Sequence, residues 1–284
     1  MNNIYFADIK KFEKIKMNFR KDGFSKIHFL ADFDNTLTKS FVNLKRTASL
    51  LSVLREQDGI LWKKFAIEDT KLFEKFHPIE INPNLSSIEK NIEMNNWWES
   101  TFKLLIKYKL RKESIKQVVD YWNIEFRNLY KELFLKLYNN NIPLIIISAN
   151  WLWSNSINYF FSKNNVLYEN IDIISNNFLW DKDWLIISYK KPIIHSFNKS
   201  ETILEELPQI YKKINNRRNV ILLWDSLWDH HMIDWFNYDN LLKIWYLNYK
   251  EDELMDSYLE RYDVVITWDG DMSFINGFLN NILT

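Results

Sequence analysis

The sequence predicts an α/β protein with a doubly wound, mostly parallel sheet and an inserted helical cap. Three observations predict it. Short apolar runs recur along the chain, at Ile27–Phe33, Pro143–Ser148, Ile171–Ser175, Asn219–Trp224, Leu241–Leu247 and Val264–Thr267. Such runs suit strands buried on both faces. The segments between most of them are long enough for helical crossovers, which parallel strands require. The stretch from 40 to 140 instead reads as helical, with no strong strand.

The first run, Ile27–Phe33, ends in acidic and turn residues, as a strand entering a loop should. The helical stretch follows. Ser86–Ser87–Ile88–Glu89 has the form of a capping box. Met94, Trp98, Phe102 and Leu105 then fall on one stripe of a helix. A second helix is expected from about Lys112 and a third over Ile124–Asn140. His77, before Pro78, is expected at a cap boundary. These readings divide the chain into a core of residues 1–39 and 141–284 and a cap of residues 40–140. Ligands of such sheets bind outside the carboxyl ends of the strands, and the cap would cover that end. His230–His231 is expected to begin a helix.

Composition narrows the partners. Of 284 residues, 47% are hydrophobic, and Lys+Arg and Asp+Glu are both 37. A neutral chain offers no global field for nucleic acid or an anionic membrane. There is no cysteine, which excludes disulfides, thiolate metal sites and a cysteine nucleophile, and fits a reducing cytoplasm. The N-terminal MNNIYFADIKKFEKIK lacks the apolar stretch of a signal peptide. No run approaches the roughly 18 apolar residues of a membrane helix. The expected location is cytoplasmic, and protein partners are not indicated.

The chemistry is concentrated in Asp32–Phe33–Asp34–Asn35–Thr36–Leu37–Thr38, directly after the first strand. A turn at a strand end can aim two carboxylates, at i and i+2, at one ligand. One can attack phosphorus while the other protonates the leaving oxygen and then activates water. A phosphate dianion approaches two carboxylates only with a divalent cation to neutralise the site. Three further elements stand at strand ends or nearby. Ser148 can donate to a phosphoryl oxygen, Lys199 can offset charge on the transferring group, and Asp225 and Asp229 can supply hard oxygen ligands to Mg2+. Alone, each has a bland reading: an acidic turn, an ordinary strand-end serine, a surface lysine, a helix start decorated with acids. Their order along the chain is what distinguishes them.

That order resembles the haloacid dehalogenase-like phosphohydrolase superfamily, with its Rossmann-like core. The resemblance implies that Asp32 is the nucleophile and Asp34 the general acid/base. It implies that Ser148, Ala149 and Lys199 bind the phosphoryl group, and that Asp32, Asp34, Asp225 and Asp229 surround Mg2+. The segments FHPIEINPNLS, Trp97–Trp98, IIISAN, IIHSFNK, NVILLWDSLWD and LLKIWYLN are similar to the cytosolic type III, pyrimidine-specific 5'-nucleotidases over residues 27 to 284. That family implies Mg2+-dependent hydrolysis of nucleoside monophosphates such as CMP and UMP. Trp97 lies off the buried stripe and is the candidate for stacking on a base. The family often carries Glu where this chain has Asn96, a departure at a second candidate base-contacting residue. Two alternatives remain: a phosphatase of another small phosphometabolite such as phosphoserine, and an inactive nucleotide-binding homologue.

One ratio is abnormal. The chain has 4 Gly and 13 Trp, whereas ordinary usage would give roughly 20 Gly. Trp151, Trp153, Trp184, Trp224, Trp228, Trp235 and Trp245 stand where the resembled family, or a tight turn, has glycine. Loops that bring backbone N–H groups to a phosphate suit glycine and not an indole. The expectation is a gene in which UGA encodes glycine, so that tryptophan stands in the printed chain for glycine. A degenerate homologue is the competing explanation, and the intact Asp32, Asp34, Ser148 and Lys199 argue against it.

Overall fold

In the computed structural model, residues 3–56, 61, 63–121, 123–149, 154–199, 207–225, 233 and 236–283 are described. A seven-stranded sheet is built from β1 (Ile4–Phe6), β2 (Ile27–Ala31), β5 (Leu144–Ser148), β6 (Ile171–Ser175), β9 (Asn219–Trp224), β10 (Asn240–Leu247) and β11 (Val264–Thr267), in the order β1-β11-β10-β9-β2-β5-β6. Every pairing is parallel except that of β1 with β11. From β2 the chain runs outward through β5 to β6, then returns to the other side of β2 and runs outward through β9 and β10 to β11. The order therefore reverses between β2 and β9, and a crevice at that reversal is where such sheets bind ligands.

Alternate residues of the central strands feed two cores, as a pleated strand with period two requires. Phe29, Ala31, Ile146, Leu223 and Tyr246 pack with α1 (Ile9–Asp22), α6 (Tyr130–Asn139), α7 (Ser154–Lys163) and α10 (Ser273–Leu283) on one face. Leu30, Ile145, Leu222, Trp224 and Trp245 pack with α8 (Pro208–Ile214) and α9 (Glu251–Leu259) on the other. The sequence reading missed β1 and α1. The helix is signalled by Asp8, whose carboxylate accepts from the N–H groups of Lys10 and Lys11. It ends at Gly23, whose φ of 75° no larger residue adopts easily.

The stretch between β2 and α6 holds α2 (Leu50–Glu56), α3 (Lys63–Glu80), α4 (Ser87–Lys107) and α5 (Lys112–Tyr121). The capping box forms as expected: Glu89 N–H donates to Ser86 Oγ, and Ser86 N–H donates to the Glu89 carboxylate at 2.9 Å. Met94, Trp98, Phe102 and Leu105 are all buried. Inside the helical layer Arg55 Nε donates to Asp69 Oδ2 at 2.7 Å. Burial still holds the Asp69 carboxyl above the usual range, with Arg55 opposing.

Four local expectations change. The stretch also contains a short hairpin, β3 (Phe41–Val42) with β4 (Lys45–Arg46). The helix expected over Ile124–Asn140 begins only at Tyr130, because Leu129 precedes it at φ 63° and residues 125–127 pair with the segment after Asp34. His77 is no boundary: it lies within α3, which continues through Pro78 to Glu80, although Pro78 has no N–H to donate to the helix. The first strand stops at Ala31, so Asp32 and Phe33 belong to the loop that follows. Finally, β7 (Phe178–Trp180) and β8 (Ile186–Tyr189) form a hairpin that carries the helical layer. Its Tyr189 donates to Glu99 Oε1 at 2.9 Å and its Phe178 packs edge-on to Phe102.

Candidate active site

The loop after β2 is held by its own backbone. Asp32 N–H donates to Leu223 O at 3.1 Å, extending the pairing with β9 by one bond. Phe33 is fully buried among Phe126, Phe160 and Phe161. The anchored ring fixes the residue between the two carboxylates of Asp32 and Asp34. The N–H groups of Leu37 and Thr38 then fold back to Phe33 O at 3.0 and 3.2 Å, and Asn35 takes a left-handed φ of 56°. Asn tolerates that conformation better than most residues.

Neighbouring strands bring the other groups to this loop. Ala31 is level with Leu223 of β9 on one side and Ile146 of β5 on the other. Asp225, at the end of β9, accepts from Thr36 Oγ1 at 3.4 Å. Ser148 ends β5, is fully buried, and its Oγ makes no hydrogen bond with any described residue. A buried hydroxyl in that condition costs free energy unless a ligand supplies the partner. Lys199 is 6% exposed, and its Nζ lies 3.0 Å from Asp32 Oδ2 and 4.7 Å from the centre of the Trp224 ring.

Sequence reasoning missed the residues that hold the lysine loop. Buried Asn176 donates to Ala149 O at 3.0 Å and to Ile194 O at 2.9 Å, and accepts from Ile194 N–H at 2.8 Å. It therefore ties the loop after Ser148 to the loop that leads to Lys199. Asn198 accepts from His195 N–H and donates to Ile193 O. Within this turn the His195 ring accepts from Phe197 N–H at 3.2 Å. Burial, with Lys199 nearby, pulls its pKa down to about 4, so the ring is neutral at pH 7. Ser196 Oγ donates to Glu80 Oε1 of α3 at 3.0 Å. Lys90 of α4 sits over the Phe197 ring at 5.3 Å. No simple sequence signal marks Asn176; Ser196 and Glu80 lie within the segments that resemble the family, but 116 residues apart.

The expected base-contacting residues separate. Trp97 is partly buried, stacked at 13° on Phe76 with 6.0 Å between ring centres, and edge-on to Phe73. Phe76 lies one helical turn before Glu80, so the aromatic pair borders the contact to the lysine loop. Asn96 is exposed on α4.

Asp32, Asp34 and Asp225 offer hard oxygen donors of the kind Mg2+ takes, and the 3.0 Å contact of Lys199 with Asp32 shows one of them already beside a cation. Among the described residues no three acidic or histidine side chains form a ready-made metal cluster. Asp229 lies outside the described residues, as do Trp151, Trp153, Trp228, Trp235 and His230–His231. Of the remaining anomalous tryptophans, Trp184 closes the β7–β8 hairpin at φ 57° and is 55% exposed. Trp268, unassigned from sequence, also has φ 57°. Trp224 and Trp245 sit side by side on β9 and β10, both buried, and the Trp245 indole N–H has no partner among the described residues.

Comparisons with known proteins bear on this geometry. The model of the pyrimidine 5'-nucleotidase (UMPH-1) family matches residues 35–283. The human 7-methylguanosine phosphate-specific 5'-nucleotidase is 34% identical over 265 residues, covering 93% of this chain and 87% of the relative. Its Drosophila melanogaster namesake is 29% identical, covering 93% and 82%. Among solved structures, cytosolic 5'-nucleotidase IIIB bound to cytidine superposes with a TM-score of 0.87 at 26% identity, covering 99% of this chain and 93% of that one. A phosphoserine phosphatase with a phospho-aspartyl intermediate analogue reaches a TM-score of 0.51 at 15% identity, covering 89% and 97%. That likeness extends to the fold alone.

Proposed function

The chain belongs to the pyrimidine 5'-nucleotidase family of phosphoric monoester hydrolases, and on that premise we propose that it hydrolyses pyrimidine nucleoside 5'-monophosphates through an aspartyl phosphate on Asp32. The observation that carries the reading is the buried contact of Lys199 with Asp32 at the reversal of strand order. Asp32 attacks phosphorus, the P–O bond to the nucleoside breaks, and Asp34 gives its proton to the departing 5'-oxygen. Asp34 then takes a proton from water, which attacks the aspartyl phosphate and frees phosphate and Asp32. Ser148 Oγ donates to a phosphoryl oxygen, Ala149 contributes from the same loop, and Lys199 balances the charge that Asp32 sheds on attack. Asp32, Asp34, Asp225 and Asp229 would hold Mg2+, which when bound offsets the negative charge of the phosphoryl group.

Residues 40–140 are assigned to the cap, whose helical layer is α2 to α5; α6, at the end of that stretch, packs on the sheet. Trp97 presents an aromatic face to the base, with Asn96 at the rim of that site. The relatives named for 7-methylguanosine phosphate point to a second substrate class. A 7-methylated guanine carries positive charge, and an indole face attracts a cation. The reaction takes place in the cytoplasm.

Phosphate release tests the proposal, with CMP, UMP, 7-methylguanosine monophosphate, AMP and phosphoserine compared in Mg2+ and in EDTA. Mg2+-dependent release from CMP or UMP above AMP and phosphoserine is expected. Release from phosphoserine above every nucleotide would overturn it.

For the tryptophans, the left-handed φ of Trp184 and Trp268 and the buried indole N–H of Trp245, which has no partner among the described residues, support glycine at these positions in the native protein. The codons decide: UGG at 184, 224 and 245 would end this reading.

A further inference from the structure

Arg127 is fully buried, on the segment that leads from the helical layer back to α6. All five of its N–H groups are accounted for. Nε donates to Thr36 O at 2.7 Å, and Nη2 donates to Asn35 O and to Asn248 Oδ1. Nη1 donates to Gly270 O at 2.8 Å and pairs with Asp269 Oδ1 at 3.0 Å. The guanidinium lies 3.8 Å from the centre of the Tyr246 ring. Two of these acceptors are the backbone carbonyls directly after Asp34. A buried guanidinium must find acceptors for its whole fork, and here two of its five N–H groups go to the loop that carries both carboxylates.

Asp269 extends the arrangement. Its carboxylate also accepts from Ser40 N–H at 2.8 Å and Phe41 N–H at 3.0 Å, where the chain leaves the core for the helical layer. The return strand of chain passes the same point: Arg127 N–H donates to Leu37 O, and Lys39 N–H donates to Glu125 O. Both connections of the helical layer thus meet the Asp32–Thr38 loop at one ion pair, between buried Arg127 and half-buried Asp269.

We propose that Arg127, held by Asp269, is a positioning residue for the reaction: it sets the Asp34 carboxylate and couples that setting to the two connections of the cap. The proposal rests on the reading of Asp34 as general acid and base. Lysine in place of Arg127 keeps the charge and loses the fork. A merely structural arginine would affect only how much protein is folded.

The experiment compares wild type, Arg127→Lys and Asp269→Asn by melting temperature, kcat and KM for CMP with Mg2+, the pH profile of kcat, and deuterium exchange of the amides of residues 35–41. Arg127→Lys is expected to lower kcat about 10²-fold, as displacement of a catalytic group by about 1 Å does, with KM changed less than about threefold. The pH profile of kcat should shift, and exchange at Ser40 and Phe41 should rise in both variants. Wild-type kcat and pH profile per folded molecule in Arg127→Lys would overturn the proposal. A wild type inactive on every nucleotide would defeat the reading of the site instead. Exchange then decides for the clamp: unchanged rates over residues 35–41 in both variants would overturn it, and raised rates would leave Arg127 as the residue that sets this loop.

Discussion

Lys199 Nζ stands 3.0 Å from Asp32 Oδ2, with both side chains nearly excluded from solvent. The pair joins residues 167 positions apart and places a fixed positive charge on the proposed nucleophile. A carboxylate that attacks a phosphoryl group gives up charge to it, and Lys199 is placed to follow that charge. Replacing Lys199 with Met is expected to lower kcat for CMP by about 10²–10³-fold, the scale of losing one preorganised donor. Steady-state kinetics checks this; a loss confined to KM would contradict it.

Asp34→Asn removes the proposed proton donor and leaves the shape of the loop. Turnover of CMP should fall by about 10²–10⁴-fold, the usual range for general acid–base catalysis. Formation of the phosphoenzyme from p-nitrophenyl phosphate should fall much less, because that leaving group departs without a proton. Burst kinetics with the two substrates separates the steps, and an equal loss with both would count against Asp34 as the acid.

The contact of Ser196 with Glu80 joins the lysine loop to α3 at 3.0 Å. Ser196→Ala is expected to raise KM for nucleotides several-fold, within the about 0.5–1.5 kcal/mol of one hydrogen bond. Inhibition by inorganic phosphate, which needs no base site, should be unchanged. Parallel weakening of phosphate would show that the contact supports Lys199 alone.

Acid should destabilise the fold through two histidines. Burial lowers both His28 and His195 from 6.5 to about 4. The unfolded chain therefore binds more protons than the native state between these values, and stability falls as pH drops from about 6.5 to about 4. Above 6.5 these groups contribute no slope. His28→Gln should flatten the dependence of melting temperature on pH over that window, and an unchanged slope would exclude His28 as a source.

Trp184→Gly should stabilise the protein by about 1 kcal/mol, since a bulky residue at φ 57° is strained and the side chain is 55% exposed. Denaturant unfolding measures this. A loss of stability would mean that the ring, which lies 3.8 Å from Lys112 Nζ, contributes more than the strain costs.

The core strands were legible because strands buried on both faces must be continuously apolar, and Asp32, Ser148 and Asp225 were legible because they end such runs. Phe33 lost its place in β2 because a buried apolar residue reads alike in a strand and in a loop anchored by its ring. Arg127 was not legible: a charged residue among Ile124, Phe126 and Leu129 reads as an exposed helix position until the carbonyls of Asn35, Thr36 and Gly270 are brought around it. β1 was not legible because three residues of edge strand carry almost no periodicity, whereas α1 did carry a signal, in Asp8 and the buried stripe of Phe12, Ile15 and Phe19. The Trp184 turn was legible from the opposite direction, as a residue in the wrong place.

The central claim is that Asp32 carries the phosphoryl group. Rapid-quench mixing of the enzyme with CMP labelled in its phosphate, in Mg2+, followed by acid digestion and peptide mapping, tests it most directly. The account predicts label on the peptide that contains Asp32, absent in Asp32→Asn. Turnover of CMP with no label on that peptide, or with label retained in Asp32→Asn, would contradict it.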